Sequence, residues 1–224
     1  MLTILFRVLL VLAAIPLLLT VAYRWIDPPG TPLMAIRWFG GTAVDHRPVP
    51  LAAVAPALPR AVIASEDNRF CTHHGIDFEA VQDALDEQEE TGRLRGASTI
   101  TMQVARNLFL WPGGGWLRKG LEAPLALAID ALWPKRRVME VYLGIAEWGD
   151  GVFGAEAAAQ RHFRKPAARL TRGEAARLAA VLPNPRRWNA AQPTAYIQRR
   201  TATIDGRVGQ LGPDHLRCID GRAG

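Results

Sequence analysis

The sequence predicts a mainly α-helical domain that follows an N-terminal transmembrane helix. Residues 2–22 form an almost unbroken apolar run, and from about residue 59 onwards apolar side chains recur at three- or four-residue spacing. No strand pattern of comparable strength is present, although residues 34–39 have the composition of a short strand. At 224 residues the chain has room for one globular domain and an appended segment, but not for a second catalytic domain.

The N-terminal apolar run is long enough to cross a membrane, since about 20 such residues span the core of a bilayer. A cleaved signal peptide is the alternative, but its apolar stretch is normally only about 7–15 residues and ends at a small-x-small site. Residues 19–22 contain no clean site of that kind. We therefore predict an uncleaved anchor over residues 1–24 and a turn-rich linker over residues 25–45. The flanking charges, Arg7 and Arg24, leave the orientation open.

The helical signals after the linker define several successive helices. Asp77 can cap a helix that carries Phe78, Val81 and Leu85 on one face and that Gly92 ends. A helix is also predicted over residues 60–67, with Pro59 in the first turn, and another after Ser98, with Ile100, Val104, Leu108 and Trp111 on one face. The last predicted helix runs from a capping box at 171–174 to Pro183. The remaining predicted helices cover residues 121–132, 138–145 and 154–163.

The composition favours an anionic partner. Lys and Arg total 27 against 21 acidic residues, which gives a formal net charge of +6. A bilayer surface, a phosphate or a nucleic acid would suit this charge, and the anchor favours lipid. No basic helix with interleaved aromatic residues is present, so we expect no nucleic-acid partner. Cys71 and Cys218 lack the spacing of a metal site or a disulfide framework, and whether they pair stays open.

Two adjacent carboxylates end the helix predicted over residues 60–67. Glu66 and Asp67 follow Ala and Ile side chains, so a carboxylate there can be partly desolvated and its pKa raised toward that of a useful base. An isolated pair of this kind is more often solvated, and a nearby histidine such as His73 is more often a surface or core residue. This pair, however, is followed in order by two further polar segments, residues 96–107 and 118–122.

Together these segments resemble the successive motifs of the family 51 glycosyltransferases. That family includes the glycan-polymerising domain of class A penicillin-binding proteins and the monofunctional biosynthetic peptidoglycan transglycosylases. The first motif, ED-x-x-F-x-x-H-x-G-x-D, is matched at Glu66, Asp67, Phe70, His73, Gly75 and Asp77. The second, G-x-S-T-I-T-Q-Q-x-x-K-N, is matched at Gly96, Ser98, Thr99, Ile100, Thr101, Gln103 and Asn107.

The second motif departs from the family pattern at Arg106, where Lys is usual, and at Met102, which replaces the first Gln. The third motif, R-K-x-x-E, falls on Arg118, Lys119 and Glu122. Residues 135–143 are similar to the fourth, although Gly144 stands where the family usually has Asn, and residues 170–189 are similar to the last. Residues 146–159 look like the monofunctional branch. The resemblance runs from about residue 45 to residue 190.

The resemblance implies a peptidoglycan glycosyltransferase. In this family the donor is a growing glycan on undecaprenyl pyrophosphate, and the acceptor is lipid II, a disaccharide-pentapeptide lipid. The implied reaction is an inverting displacement that forms β-1,4-linked glycan strands and releases undecaprenyl pyrophosphate. Such a step needs a base at the acceptor's 4-hydroxyl, and Glu66 holds the first-motif position for that role.

The resemblance also implies roles for the remaining motif residues. Arg118 and Lys119 would meet the charge that develops on the leaving pyrophosphate. Glu122, four residues after Arg118, is either part of an ordinary surface ion pair or a second catalytic group. The residues predicted to face the substrate are Ser98, Thr99, Gln103 and Arg106, and those predicted to hold the site through hydrogen bonds are Asp67, His73 and Asn107. No residue is assigned as a metal ligand, and whether Mg²⁺ or Mn²⁺ accompanies the pyrophosphate stays open.

The implied fold is the lysozyme-like, two-lobed helical domain of the family, over residues 46–205, with its smaller lobe against the membrane and a tail over residues 206–224. The implied location is the inner membrane, with a single span and a periplasmic domain. Residues 110–117, rich in Trp and Gly, form a loop that either dips into the interface or covers the core. Other cell-wall synthesis or division proteins are open as partners. The alternatives are a muramidase or lytic transglycosylase, which cleaves glycan, and a non-catalytic membrane-tethered scaffold.

Overall fold

The computed structural model describes residues 2–92, 96–113 and 115–220, without the side chains of residues 2–6, 8–13 and 116. The chain is mainly helical, as predicted. Within the described residues the helices are α1 Leu2–Tyr23, α2 Pro32–Phe39, α3 Ala57–Glu66, α4 Phe78–Thr91, α5 Ile100–Phe109, α6 Gly115–Leu132, α7 Lys135–Ile145, α8 Ala155–Phe163, α9 Arg172–Val181, α10 Ala195–Gln210 and α11 Pro213–Leu216. Short 3-10 turns cover Leu51–Ala53 and Ala167–Arg169.

Two groups of helices form most of the core. Helices α3, α9 and α10 pack together, and α5 packs against α6 and α7. The helices of the first group carry fully buried aliphatic side chains, such as Ile63 on α3, Leu178 on α9 and Ile197 on α10. Each such side chain contributes about 1.5–3 kcal/mol to the free energy of unfolding. The helix predicted over residues 138–145 is part of α7, where Val138, Tyr142 and Ile145 are buried.

A small sheet joins distant parts of the chain. Its strands are β1 Asp45–His46, β2 Glu147–Gly149 and β3 Val152–Phe153, with β3 in the centre, parallel to β1 and antiparallel to β2. Gly151, between β2 and β3, has φ +72°, and a Cβ there would overlap the Ala43 carbonyl oxygen. Glycine is therefore required where the β2–β3 turn passes the chain that leads into β1.

The C-terminal end of α1 packs on the domain. Trp133 Nε1 donates to the Thr20 carbonyl oxygen at 2.7 Å, and Arg137 Nε donates to that of Tyr23 at 2.9 Å. Most of the side chains on which the anchor prediction rests, those of residues 2–6 and 8–13, lie outside the described part of the chain. Among the residues that are described, no helix is both long enough and apolar enough to cross a membrane.

The strand predicted for residues 34–39 is wrong, because these residues form α2. Thr31 caps the helix by accepting a hydrogen bond from the Met34 N–H at 3.2 Å, and Pro32 occupies its first turn, where no N–H is needed. Helix α2 lies inside the predicted linker over residues 25–45 and packs on the domain. Met34 is buried, and Arg37 forms two hydrogen bonds with Glu147, both at 2.9 Å. This part of the linker therefore has regular, packed structure.

Helix α4 has the predicted ends but not the predicted packing face. Asp77 caps it by accepting from the Ala80 N–H at 2.9 Å, and Gly92 ends it in the left-handed conformation with φ +69°. Phe78 and Leu85, however, are 70% and 47% exposed, whereas Ala84 is buried. Apolar spacing identified the helix correctly but assigned it a face that the described residues do not cover.

Two further predictions need correction. Helix α5 ends at Phe109, so Trp111 does not belong to its packing face and is 44% exposed. Helix α6 starts at Gly115, well before the predicted residue 121, and Pro124 lies in its interior. The loop predicted over residues 110–117 is therefore shorter, and the exposed Leu117 belongs to α6.

The C-terminal tail is attached to the domain rather than separate from it. Cys71 and Cys218 form a disulfide across 147 residues of sequence, and Arg136 donates to the Ile219 carbonyl oxygen at 2.7 Å. Asp220 pairs with Arg60 at 3.2 Å. Residues 221–224 of the predicted tail lie outside the described part of the chain. The disulfide joins the tail to the loop that follows α3.

Breaking this disulfide should destabilise the domain. Because the bond closes a long loop, its reduction should lower the free energy of unfolding by about 2–5 kcal/mol, which denaturant titration with and without reductant measures. The Cys71→Ala/Cys218→Ala variant serves as control, since reductant should leave its stability unchanged. Equal stability of the oxidised and reduced wild type would contradict the pairing.

Candidate active site

Glu66, the last residue of α3, is a largely buried carboxylate with two close polar partners among the described residues. Its side chain is 15% exposed. Oε2 accepts a hydrogen bond from Gln103 Nε2 at 3.1 Å, and Oε1 lies 3.9 Å from a guanidinium nitrogen of Arg200. Gln103 comes from α5 and Arg200 from α10, so two separate helices approach different oxygens of this carboxylate.

The surroundings of Glu66 favour its protonated form. Burial raises the pKa of its carboxyl group and outweighs the hydrogen bond from Gln103 and the charges of Arg200 and Arg106, which lower it. The neighbouring Asp67 raises the pKa a little further. The position at the carboxyl end of a helix acts in the same direction, because the helix dipole disfavours negative charge there. When ionised, such a group is a stronger base than an exposed glutamate.

Tyr142 fixes the orientation of the Gln103 amide. The tyrosine hydroxyl donates to Gln103 Oε1 at 3.3 Å, so the amide nitrogen faces Glu66. Tyr142 is fully buried on α7, and burial, together with the charge of Glu66, raises the pKa of its hydroxyl well above the ordinary value. The phenol therefore keeps its proton and can act only as donor to the Gln103 oxygen.

Asp67 joins the loop after α3 to the start of α5. Its carboxylate accepts from the Ile100 N–H at 2.9 Å and is bonded to His73 Nε2 at 3.0 and 3.1 Å. The Asp67 and His73 side chains are only 3% and 6% exposed. Their polar atoms are thus engaged within the protein, and they hold the helix that carries Gln103 beside Glu66.

Thr99 makes a second connection between the same two segments. As the N-cap of α5 it accepts from the Met102 N–H at 3.1 Å, and its hydroxyl donates to the Gly75 carbonyl oxygen at 2.6 Å. Gly75 has φ +81°, and a Cβ there would lie 2.9 Å from the Ala126 carbonyl oxygen of α6. Only glycine lets the loop lie this close to α6. The Thr99 hydroxyl, like Asp67, is committed to internal bonds.

A cluster of cations lies where α5 faces the start of α6. Arg118 forms an ion pair with Glu122, Lys119 Nζ lies 3.7 Å from the second Glu122 oxygen, and Lys119 also contacts the Ser98 hydroxyl. Glu122 is 1% exposed, so the pair is buried and not the surface ion pair that was one of the two expectations. Arg106 lies on α5, where its Nε donates to Asn107 Oδ1 at 3.3 Å.

The cation cluster carries more positive charge than its single carboxylate balances. Burial lowers the pKa of the Lys119 ammonium, and the charges of Arg106 and Arg118 lower it further. Burial and the charge of Arg106 likewise lower the pKa of Arg118. Arg106 thus lowers the pKa of both other cations, which share Glu122 as their carboxylate partner. A bound anion would stabilise such a site.

A cavity of about 800 Å³ adjoins Glu66. Its lining includes Glu66 and Ser98, and Ser98 also contacts Lys119 of the cation cluster. Arg207 of α10 and His215 of α11 complete the lining from the C-terminal segment. The predicted base therefore borders a space that the C-terminal segment helps to enclose, and Ser98 connects the lining of this space to Lys119.

Comparison with known proteins agrees with this arrangement. The family model described as transglycosylase matches residues 33–208. This chain belongs to the transglycosylase family. The match includes every predicted site residue, from Glu66 to Glu122, and confirms the family predicted from the motifs.

Curated relatives of this transglycosylase match nearly its whole length. A biosynthetic peptidoglycan transglycosylase of Rhodospirillum centenum is 61% identical over 218 residues, which cover 95% of this chain and 94% of the relative. Proteins with the same description from Caulobacter vibrioides and Pseudomonas putida strain GB-1 are 48% identical, over 94% and 96% of this chain and 92% and 94% of their own lengths. The prediction of a transglycosylase enzyme is confirmed.

Two residues beside Glu66 were not identified from the transglycosylase sequence. Tyr142 was predicted as part of a helix and lies in the segment similar to the fourth motif, but it was given no role beside Glu66, and Arg200 was not singled out. Each lies on a helix far along the chain from Glu66, and no local spacing connects them. Among the described residues, no group of three His, Cys, Asp or Glu side chains could hold a metal ion.

Replacing Glu66 by Gln should stabilise the transglycosylase at neutral pH. Because the folded-state pKa of Glu66 is raised, its stabilising contribution is present below the pKa of the unfolded chain, about 4.3, and is lost as pH rises through the folded-state pKa. The Tm of Glu66→Gln should therefore exceed that of wild type at pH 8, and the difference should shrink toward pH 4. Calorimetric scans across this range measure it.

Glu90→Gln is the matched control, since Glu90 is an exposed carboxylate on α4. Its Tm should follow that of wild type at each pH. A Glu66→Gln variant that is less stable than wild type at pH 8 would contradict the raised pKa.

Proposed function

We propose that this chain polymerises lipid II into β-1,4-linked glycan strands, with Glu66 as the general base. The observation that carries the proposal is the placement of a largely buried carboxylate of raised pKa beside a cavity, together with a cation cluster whose Lys119 contacts Ser98 in the lining of that cavity. The relatives described as biosynthetic peptidoglycan transglycosylases support the same substrate class.

In the proposed step, ionised Glu66 accepts the proton of the acceptor's 4-hydroxyl. The hydroxyl oxygen forms a bond to the donor's anomeric carbon, and the bond from that carbon to the pyrophosphate oxygen breaks with inversion. The Gln103 amide, which donates a hydrogen bond to Glu66 Oε2, holds the carboxylate in position during the transfer. Positioned general bases of this kind typically contribute about 10²–10⁴-fold to the rate.

The cation cluster would meet the charge of the leaving group. As the bond to the anomeric carbon breaks, one further negative charge develops on the undecaprenyl pyrophosphate, which is already anionic, and fixed cations stabilise such charge most where water is excluded. Lys119 and Arg118 are suited to this because they outnumber their shared carboxylate, Glu122. In this account Glu122 positions the two cations and does not itself transfer a proton.

Glycan cleavage is less compatible with the site. Glycoside hydrolysis commonly uses two carboxylates on either side of the scissile bond. The other two acids of the predicted site, Asp67 and Glu122, are each committed to a partner within the protein, the Ile100 N–H and Arg118 respectively. A cluster of uncompensated cations has no role in hydrolysis of an uncharged glycan, whereas a pyrophosphate-bearing donor needs one.

We further propose that the domain works at the periplasmic surface of the inner membrane, held by α1 as a single-span anchor. Large exposed apolar side chains lie on and near α1, α2 and α6. Among them are Leu18, Trp25, Phe39 and Leu117, which are 69%, 72%, 81% and 72% exposed respectively. Trp is favoured at the headgroup level of a bilayer. A lipid-linked substrate would reach the cavity from the same surface.

Loss of the base should abolish polymerisation. With fluorescent lipid II in detergent and products resolved on gels, Glu66→Gln should lower kcat by about 10²–10⁴-fold. In wild type, kcat should fall as pH decreases through the raised pKa of Glu66, beginning at a higher pH than an ordinary glutamate would give. Glu90→Gln should behave as wild type. Full activity of a folded Glu66→Gln would exclude Glu66 as the base.

Loss of one pyrophosphate cation should slow the same step. Lys119→Gln should lower kcat by about 10²-fold, a typical effect of removing one group that stabilises transition-state charge. It should also weaken inhibition by inorganic pyrophosphate. Arg169→Gln, which removes an exposed charge elsewhere, should change neither quantity. Unchanged kcat and unchanged inhibition in Lys119→Gln would contradict the assignment of the cluster.

A further inference from the structure

Helix α10 presents a row of cationic and polar side chains beside Glu66. This row, called here the α10 row, lines a groove of about 280 Å³ and consists of Tyr196, Arg199, Arg200, Thr203 and Arg207. The spacing of three or four residues places them on one side of the helix. Ile197 and Ile204, on the adjoining face, are buried, and Ile204 also lines the groove. At about 1.5 Å per residue the row is about 16 Å long.

The α10 row carries positive charge that the protein does not balance. Its groove is lined by three arginines and, among the described residues, by no carboxylate. Arg200 lies near Glu66, but Arg199 and Arg207 are exposed and, in the described part of the chain, form no ion pair. Arg172, by contrast, is paired with Asp205. The α10 row is therefore suited to an anionic ligand.

The groove is continuous with the active-site cavity but separate from the cation cluster. Arg207 lines both the groove and the cavity, and Ser65, which lines both as well, immediately precedes Glu66. The α10 row approaches Glu66 Oε1 through Arg200, whereas α5 approaches Oε2 through Gln103. A substrate held at Glu66 could thus have one anionic group at the cation cluster and another on α10.

We propose that the α10 row binds the carboxylate-bearing peptide branch of the disaccharide substrate. The inference rests on the proposed function, because lipid II carries two kinds of anionic group, a pyrophosphate and the carboxylates of its pentapeptide. The cation cluster accounts for the first, and the α10 row fits the second. Planar guanidinium groups bind carboxylates through paired hydrogen bonds, and an extended row can follow a peptide of several residues.

A bilayer surface is a less suitable ligand for the same charges. A membrane-facing surface combines basic residues with large exposed apolar side chains. On α10 the one large exposed hydrophobic side chain is Tyr196, whose ring packs against that of Trp188 with centroids 5.5 Å apart. The other large exposed apolar groups are found mainly on α1, α2, α4 and α6.

Equilibrium binding tests this inference without requiring turnover. The probe is a fluorescently labelled soluble disaccharide-pentapeptide, compared by anisotropy with the same molecule after amidation of its peptide carboxylates. Wild type should bind the unmodified probe about three- to tenfold more tightly, the range for two partly exposed ion pairs. Arg199→Gln/Arg207→Gln should lose this preference. Arg161→Gln/Arg169→Gln, which removes two exposed charges elsewhere, should retain it.

A preference retained by Arg199→Gln/Arg207→Gln, or absent from wild type, would overturn the inference. If the variant with a retained preference instead loses binding of inorganic pyrophosphate or of vesicles of anionic phospholipid, the α10 row binds phosphate groups and not the peptide. In lipid II assays, the same double variant should show a raised KM at nearly unchanged kcat. A peptide preference without polymerisation would remove the proposed function alone, and polymerisation without a preference would remove only the α10 inference.

Discussion

To act as a base, Glu66 must be able to ionise at the buried carboxyl end of α3. Several of the surrounding side chains stabilise the ionised form against the effect of burial. Burial and the helix dipole both oppose the charge, while the Gln103 amide and the guanidinium groups of Arg200 and Arg106 support it. Because burial outweighs these partners, the pKa of Glu66 stays raised, and a raised pKa suits a carboxyl group that must lose and regain a proton. The Tyr142 hydroxyl donates to the Gln103 oxygen, and this orients the amide nitrogen of Gln103 toward Glu66.

The position of α5 depends in turn on the loop that follows Glu66. Asp67 and Thr99 join that loop to the start of α5, one through the Ile100 N–H and the other through the Gly75 carbonyl oxygen. The disulfide between Cys71 and Cys218 connects the same loop to the C-terminal segment. Thus the base, the helix that orients it and the tail that lines the cavity form one connected unit. A change in the loop would be expected to alter all three.

Much of this could be predicted from the sequence, for reasons that differ from one element to another. Helices α4, α5, α7 and α9 follow from caps and apolar spacing, and α8 follows from the helix propensity of its Ala-rich segment. These are local properties of the chain. Glu66 was identifiable because a carboxylate pair at a helix end was followed by ordered motifs. Helix α2 was missed because its apolar residues suit a strand equally well, and the Thr31 cap decides the outcome.

The remaining features depend on contacts between distant residues. Phe78 and Leu85 have helical spacing, but spacing does not reveal whether another element covers that face. The partnership of Tyr142 with Gln103, of Arg200 with Glu66 and of Cys71 with Cys218 arises only when α5, α7, α10 and the tail are packed together. Motif matching identified α5 and α6 as the source of the cations, whereas the contribution of α10 required the structure.

The central claim is that Glu66 is a buried carboxyl group whose pKa is raised by its surroundings. The most direct measurement is a ¹³C NMR titration of glutamate-labelled protein, in which the Glu66 signal is assigned by its absence from Glu66→Gln. The account predicts a pKa above the ordinary value of about 4.3, and a still higher pKa in Gln103→Ala, because the amide hydrogen bond stabilises the ionised form. A pKa at or below the ordinary value would contradict it.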